Sequence, residues 1–184
     1  MDVSKAVIAV TGGASGLGEA TCRYFLERGA AGVVAIDLNA ARGAELSGEL
    51  GERFLFVETD VSDETAVQAA VDATVARFGA IHVAVAAAAI GLPSKLLTSK
   101  GPIQMAKFDK VIKVNLYGAL HLMRSAAAAM AANQPNEDGE RGVLIAISSG
   151  AAYEGQVGQV AYSASKAALV GMTLPLMREL SDLG

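Results

Sequence analysis

The sequence has 184 residues, 52% of them hydrophobic, which suits one domain over residues 1–184 with a single buried core. Its formal net charge is −4 at pH 7, and it has no cluster of lysines and arginines. This argues against nucleic acid as the main partner, because phosphate binding needs clustered basic side chains. Cys22 is the single cysteine, which excludes an internal disulfide and fits a reducing compartment.

The sequence contains no candidate membrane segment. Its longest strongly apolar run, residues 83–92, is about half as long as a membrane-spanning helix. The first apolar strand pattern begins almost directly after Met1, which leaves no room for a signal or transit peptide. We therefore expect a soluble cytoplasmic protein with no membrane partner.

Short apolar runs alternate with helical patterns along the chain. The runs predict strands at 6–10, 33–36, 54–57, 81–88 and 143–147, and the helical patterns cover 16–28, 40–50, 64–78, 105–132 and 159–183. Near-continuous apolar strands joined by helices are typical of a parallel sheet covered on both faces. The pattern therefore predicts an α/β fold, a Rossmann-like doubly wound parallel sheet with a ligand crevice at the carboxyl ends of its strands.

Two segments between these elements are polar. Residues 91–104 contain glycines and polar side chains and are expected to form a mobile rim, whereas residues 133–142 are expected to form a charged surface turn. Pro175 lies inside the last helical pattern and is expected to kink or divide that helix, because proline removes a backbone hydrogen bond.

A glycine-rich segment, TGGASGLG at 11–18, follows the first predicted strand and opens a helix. Such a loop alone could equally be a structural turn, but this position favours nucleotide binding. The glycines let the backbone approach a pyrophosphate, and the helix N-terminus offers free N–H groups to the same phosphates. The expected cofactor contacts in this segment are Thr11, Gly12, Ser15, Gly16, Leu17 and Gly18.

Two acidic residues follow the next strands. Asp37 ends the second predicted strand, where a carboxylate can bind the adenosine ribose hydroxyls of a dinucleotide. The same charge repels a 2′-phosphate and no arginine directly follows it, so NAD is favoured over NADP as the cofactor. Asp60, with Val61 beside it, is placed either to contact the adenine amine or to cap the next helix, and the sequence leaves both open.

Tyr162 and Lys166 lie four residues apart, so they share one face of the last predicted helix. A phenol is a poor base at neutral pH because its ordinary pKa is about 10. A neighbouring ammonium stabilises the phenolate and brings that pKa toward the working range. Ser149 is expected to end the fifth strand, where its hydroxyl could bind a substrate oxygen.

Taken together, these motifs resemble the short-chain dehydrogenase/reductase family over essentially the whole chain. The resemblance extends to the short-chain-type 3-hydroxyacyl-CoA dehydrogenases, the group containing 17β-hydroxysteroid dehydrogenase type 10. The matching residues are TGGASGLG at 11–18, Asp37, Asp60-Val61, Val114-Asn115-Leu116, RGV at 141–143, Ser149, EGQVGQ at 154–159 and AYSASKAALVGMTLP at 161–175.

The resemblance implies hydride transfer between NAD and a secondary alcohol or ketone, such as a 3-hydroxyacyl-CoA. Tyr162 would be the acid/base, Lys166 would support it and bind the nicotinamide ribose, and Ser149 would orient the reacting oxygen. Asn115 would position a water that links Lys166 to solvent, and Gln156 would line the substrate cleft. No metal is implied, and His82 and His121 have no acidic companions at ligand spacing.

The sequence also departs from the family pattern. The family carries Asn-x-Ala-Gly where this chain has Ala86-Ala87-Ala88-Ala89, so the Asn side chain that links neighbouring strands is lost. Ala88 is expected to border the cofactor. Ala89 is strained if its position needs a positive φ. The resemblance also implies two further strands beyond Gly184, and a homo-oligomer, dimer or tetramer, joined through helices 105–132 and 159–183. These departures leave an alternative open, a catalytically weak or inactive nucleotide-binding or assembly module.

Overall fold

A computed structural model describes residues 2–184. Its main sheet has five strands, all parallel, in the spatial order β3-β2-β1-β4-β7. These strands are β1 (Val7–Thr11), β2 (Gly32–Asp37), β3 (Phe54–Glu58), β4 (Val83–Ala86) and β7 (Val143–Ala146). The order reverses direction between β1 and β4, and the prediction of a Rossmann-like doubly wound sheet is confirmed. A ligand crevice is expected at the carboxyl ends of β1 and β4, where the order reverses.

Six α-helices connect these strands or follow them. They are α1 (Gly16–Glu27), α2 (Ala40–Leu50), α3 (Glu64–Phe78), α4 (Met105–Ile112), α5 (Gly118–Met130) and α6 (Val160–Leu180). Helices α2 and α3 have the predicted bounds, and each begins after a side chain that accepts hydrogen bonds from its first turn. Of the kink or division expected at Pro175, the division is wrong, because α6 continues through that residue to Leu180, and the kink stays a prediction.

The predicted helix over residues 105–132 is interrupted. Between α4 and α5 the chain forms one turn of π-helix over Lys113–Tyr117, in which the Gly118 N–H donates to the Lys113 carbonyl. Asn115 lies inside this turn and is held by side-chain hydrogen bonds to residues outside the helix. The π-turn therefore coincides with the residue that these hydrogen bonds hold, and π-turns of this kind often occur at functional sites.

Both faces of the sheet are covered by helices. Residues from α1 and α2 pack on one face and residues from α3 and α5 on the other. The buried side chains on the first face include Ile8, Val10, Cys22, Leu26 and Leu46, and those on the second include Ala9, Val34, Val67, Val71 and Leu122. Because both faces are packed, ligands can approach the sheet only at its ends.

The rim segment 91–104 is more ordered than expected. It contains a two-stranded antiparallel hairpin, β5 (Leu97–Thr98) and β6 (Gly101–Pro102). The Ser94 N–H donates to the Gly158 carbonyl at 2.8 Å, which joins this segment to the loop before α6. Within residues 2–184, no helix combines the length and apolar character needed to cross a membrane.

Candidate active site

The glycine-rich loop is shaped by close backbone contacts. Gly12 has φ +69°, and a Cβ placed there would lie 2.9 Å from the Ala88 Cα. A Cβ on Gly18 would lie 2.1 Å from the Gly12 carbonyl oxygen, so the start of α1 packs directly on the loop. Side chains at these two glycines would collide with the protein itself. These two glycines therefore allow the backbone segments to lie close together, and the approach to a pyrophosphate expected at them stays a prediction.

Gly16 is the glycine that faces open space. It has φ +50°, and a Cβ built there would meet nothing within 4 Å. Ser15, which precedes α1, makes no side-chain capping hydrogen bond, so the first N–H groups of the helix remain available. These N–H groups and the positive end of the helix dipole suit an anionic group such as a pyrophosphate.

The loop borders a crevice of about 830 Å³ at the carboxyl ends of the strands. Nine of the predicted cofactor residues line it: Gly12, Ser15, Gly16, Leu17, Gly18, Asp37, Asp60, Val61 and Ala88. Lys110 and Lys113 also line it, and no sequence pattern indicated them, because lysines on an exposed helical face are ordinary surface residues. The crevice thus brings together residues from five separate segments of the chain.

Asp37 lies at the end of β2 with both carboxylate oxygens engaged by backbone. Oδ2 accepts a hydrogen bond from the Ala14 N–H, and Oδ1 accepts one from the Asn39 N–H, both at 3.0 Å. These bonds fix the carboxylate between the glycine-rich loop and the start of α2. Each oxygen keeps a lone pair for a further donor, such as a sugar hydroxyl.

Asp60 does not cap the following helix. Its Oδ1 accepts hydrogen bonds from the N–H and the hydroxyl of Ser62, at 2.9 and 2.7 Å. The capping residue of α3 is Asp63, whose Oδ1 accepts from the N–H groups of Thr65 and Ala66. Of the two alternatives for Asp60, the helix cap is wrong, and contact with an adenine amine stays a prediction.

Thr11 lies behind the crevice wall and does not line it. Its hydroxyl oxygen accepts hydrogen bonds from the N–H groups of Ala87 and Ala88, at 3.2 and 3.3 Å, so β1 is tied to the chain after β4 despite the alanines there. The strain considered for Ala89 is absent, because among residues 2–184 only glycines have a positive φ.

A second cavity, of about 540 Å³, contains three of the remaining predicted side chains. Ser149, Gln156 and Tyr162 line it, together with Glu154 and Gln159. Strand β7 ends at Ala146, so Ser149 lies beyond the strand that it was expected to end. It caps a short 3-10 turn instead, and its Oγ accepts from the Ala151 N–H at 3.1 Å. The Ser149 O–H itself therefore remains free to donate into the cavity.

Lys166 is buried behind Tyr162, with 2% of its surface exposed. Its Nζ donates to the Ile147 carbonyl at 2.7 Å and lies 5.7 Å from the centroid of the Tyr162 ring. Burial lowers the pKa of Lys166, because desolvation disfavours the ammonium form. The predicted pairing of phenol and ammonium on one face of α6 is present, and within residues 2–184 the Ile147 carbonyl is the one hydrogen-bond acceptor of the ammonium.

Asn115 is 1% exposed and joins three parts of the structure. Its Oδ1 accepts from the Ile90 N–H, and its Nδ2 donates to the Ile90 carbonyl and to the Ser165 hydroxyl. The side-chain amide thereby fixes the segment after β4 against α6. The water relay expected at Asn115 stays a prediction. Ile90 takes part through its backbone only, so no sequence motif could have indicated it.

Titratable side chains do not form a metal site in the part of the chain that the structure describes. No group of three or more His, Cys, Asp or Glu residues that could hold a metal ion occurs within residues 2–184. The two histidines instead bond to backbone: His82 Nδ1 accepts from the Val7 N–H, and His121 Nδ1 lies 3.0 Å from the Val61 carbonyl oxygen.

Comparison with known proteins places this architecture in a family. The family model for short chain dehydrogenases matches residues 6–184. The 3-hydroxyacyl-CoA dehydrogenase type-2 of Drosophila melanogaster is 42% identical over 99% of this chain and 72% of its own length. The Homo sapiens protein of that name is also 42% identical, over 99% of this chain and 70% of its own. The crystal structure of 3-hydroxyacyl-CoA dehydrogenase type-2 from Mycobacterium avium superimposes with a TM-score of 0.91 at 42% identity, covering 98% of this chain and 71% of that one. The chain belongs to the short-chain dehydrogenase family of enzymes.

Proposed function

We propose that the chain binds NAD and transfers hydride between NAD and a secondary alcohol or ketone, in the form of a 3-hydroxyacyl-CoA or its 3-keto product. One observation carries the proposal: the two cavities adjoin along a single segment. Residues 87–90 line the crevice that holds Asp37, and residues 91–93 line the cavity that holds Tyr162. A dinucleotide in the first cavity would have its reactive end directed toward the second.

The cofactor proposal rests on the fit of the first crevice. The open position at Gly16 and the uncapped start of α1 suit the pyrophosphate. The Asp37 carboxylate suits two ribose hydroxyls and repels a 2′-phosphate, which favours NAD over NADP. Val61 and Ala88 would border the adenosine half of the cofactor.

The acid/base proposal rests on the second cavity. When bound, NAD supplies the acceptor for the hydride that leaves the alcohol carbon. Tyr162 would accept the hydroxyl proton in that direction and return it to the oxygen during ketone reduction. Ser149 would donate its free O–H to the reacting oxygen, and Lys166 would stabilise the phenolate through its charge. Gln156 would line the path of the substrate.

The substrate proposal rests on the relatives. Two curated relatives at 42% identity carry the name 3-hydroxyacyl-CoA dehydrogenase type-2. An acyl-CoA is therefore the substrate class to test first. The relatives do not decide the compartment, and cytoplasmic localisation stays an expectation.

We further propose a homo-oligomer, with a dimer as the form to test first. Tyr117 and Leu120, before and within α5, are exposed, as are Val160 and Leu174 of α6. Exposed apolar side chains on these two helices support a contact between copies of the chain. Light scattering of the purified protein would test it, and a monomeric mass at micromolar concentration would refute it.

The catalytic proposal is tested by replacing Tyr162. NADH oxidation is followed with a 3-ketoacyl-CoA, comparing the wild-type chain with Tyr162→Phe and with Tyr153→Phe, whose side chain is 77% exposed. We expect Tyr162→Phe to lower turnover by about 10²–10⁴-fold, with NADH binding retained and the control fully active. Equal rates from wild type and Tyr162→Phe would refute the assigned acid/base. NADH binding without turnover by wild type would favour the alternative, an inactive nucleotide-binding module.

A further inference from the structure

Arg42 and Glu19 form a two-point ion pair beside the crevice. Arg42 Nε donates to Glu19 Oε2 at 3.2 Å, and Arg42 Nη2 donates to Glu19 Oε1 at 2.7 Å. One whole edge of the guanidinium is thereby occupied. The remaining nitrogen, Nη1, donates to Glu45 and Glu49, at 2.6 and 3.0 Å. Every nitrogen that Arg42 could offer to a ligand is bound to a carboxylate.

The position of this pair matters because both partners adjoin residues that line the crevice. Glu19 directly follows Gly18, which borders the crevice where α1 begins. Arg42 is connected to Asp37 by two hydrogen bonds in series: the Asn39 N–H donates to Asp37 Oδ1, and the Arg42 N–H donates to Asn39 Oδ1. Arg42 is therefore an arginine in the first turn of α2, next to the carboxylate that would face the adenosine ribose.

The charges around Arg42 keep it paired at neutral pH. The hydrogen bonds that Arg42, and then Arg23, donate to Glu19 hold the pKa of Glu19 below its ordinary value. The hydrogen bonds that Arg42 donates to Glu19 and Glu45 raise the pKa of Arg42. Arg23 also binds Glu19 and Glu49, so three carboxylates share two guanidinium groups. The cluster has an excess of negative charge, and the Nε–Nη2 edges of both Arg23 and Arg42 are occupied by carboxylates.

We propose that Glu19 is a specificity-determining residue for the cofactor, because it occupies the Nε–Nη2 edge of Arg42 that would otherwise bind the 2′-phosphate of NADP. An arginine edge binds phosphate through two parallel hydrogen bonds, in the same geometry that it uses for a carboxylate. Glu19 and a 2′-phosphate are thus competitors for one donor edge. The Asp37 carboxylate repels the phosphate directly, whereas Glu19 keeps the Arg42 guanidinium from binding it. The inference rests on the proposed binding of a dinucleotide in this crevice.

The test separates the two effects by removing Asp37 first. Binding of NAD and of NADP is measured by calorimetry on the full chain for Asp37→Ser, and then with Glu19→Gln added. We expect the second change to tighten NADP binding by about tenfold while NAD binding changes little, because a charge-assisted pair of hydrogen bonds is gained only with the phosphate. Glu45→Gln in the same background is the matched control, since Glu45 binds Nη1 and leaves the other edge occupied.

Arg42→Gln completes the cycle. Added to Asp37→Ser alone it should leave NADP affinity unchanged, because Arg42 is already held by Glu19. Added to the Asp37→Ser and Glu19→Gln pair it should abolish the gain. A gain that persists without Arg42, or no gain from Glu19→Gln in a variant whose thermal melting confirms folding, would overturn the inference. If wild type binds NAD but not NADP and either of those two results is obtained, the inference about Glu19 fails and the proposed function stands. Binding of neither dinucleotide by wild type would refute both.

Discussion

The hydroxyl oxygen of Thr11 accepts a hydrogen bond from the N–H of Ala88 at 3.3 Å, so the end of β1 is fastened to the chain that leaves β4. The same oxygen accepts from the Ala87 N–H, and a Cβ at Gly12 would collide with the Ala88 backbone. The glycine-rich loop is therefore held close to the segment between the two cavities by both hydrogen bonds and backbone contact.

Thr11→Val should destabilise the protein although valine has nearly the same shape. The variant leaves the N–H groups of Ala87 and Ala88 without an acceptor, which costs about 1–3 kcal/mol. Thr11→Ser keeps the hydroxyl and loses only a methyl group. Urea denaturation of the three proteins should place the valine variant lowest in free energy of unfolding. A valine variant as stable as the serine variant would show that the hydroxyl contributes nothing.

Gly18→Ala and Gly48→Ala should have opposite effects on stability. A Cβ at Gly18 would overlap the Gly12 carbonyl, a backbone group that can move only by reshaping the loop, so we expect loss of both stability and NAD binding. A Cβ at Gly48, inside α2, would meet nothing within 4 Å. There alanine should stabilise the helix by about 0.5–1 kcal/mol. Thermal melting with and without NAD measures both changes, and an unaffected Gly18→Ala variant would contradict the close contact.

The fold was predictable where the local sequence pattern of a segment agrees with the way that the segment packs in the tertiary structure. Helices α2 and α3 have their predicted bounds because an apolar face continues to the last turn and a glycine follows each helix. The π-turn over Lys113–Tyr117 was missed, since its apolar pattern is the same as that of an uninterrupted helix. Asn115, inside this turn, contacts Ile90, and a contact between residues so distant in sequence leaves no local pattern.

The candidate site was predictable to the same extent. Asp37 and Tyr162 could be identified because each occupies a defined place relative to a strand end or a helix face. The sequence could not indicate that Lys166 donates to the Ile147 carbonyl, because every residue has the same backbone carbonyl group. Asp63 caps α3 instead of Asp60, because Asp63 directly precedes Glu64, the first residue of the helix.

The stability of the protein should fall as the pH decreases through about 6.5. His82 Nδ1 accepts a hydrogen bond from the Val7 N–H at 3.0 Å, and an acceptor nitrogen must carry no proton. Burial lowers the pKa of His82 below its ordinary value, so the unfolded chain takes up a proton first. The free energy of unfolding is therefore highest above pH 7 and decreases as the pH falls through the unfolded pKa toward the folded one.

His82→Asn tests this dependence, because an asparagine oxygen can accept from the same N–H without titrating. Urea denaturation at intervals between pH 8 and pH 5.5 should show that the variant loses less stability than wild type over that range. If the free energy of unfolding falls equally with pH in the two proteins, the dependence arises from groups other than His82.

Cys22 should resist thiol reagents for as long as the protein is folded. Its side chain is 0% exposed in the core between α1 and the sheet, and burial raises the pKa of the thiol to about 12. Only the thiolate is nucleophilic, so both access and ionisation are blocked. Iodoacetamide at pH 8 should leave the native mass unchanged and add one label in concentrated urea. In intermediate urea, NAD should slow the labelling if it binds the folded state, because ligand binding reduces the unfolded population. Rapid labelling of the native protein would contradict the buried position of Cys22. A labelling rate in intermediate urea that NAD does not change would contradict only the proposed NAD binding.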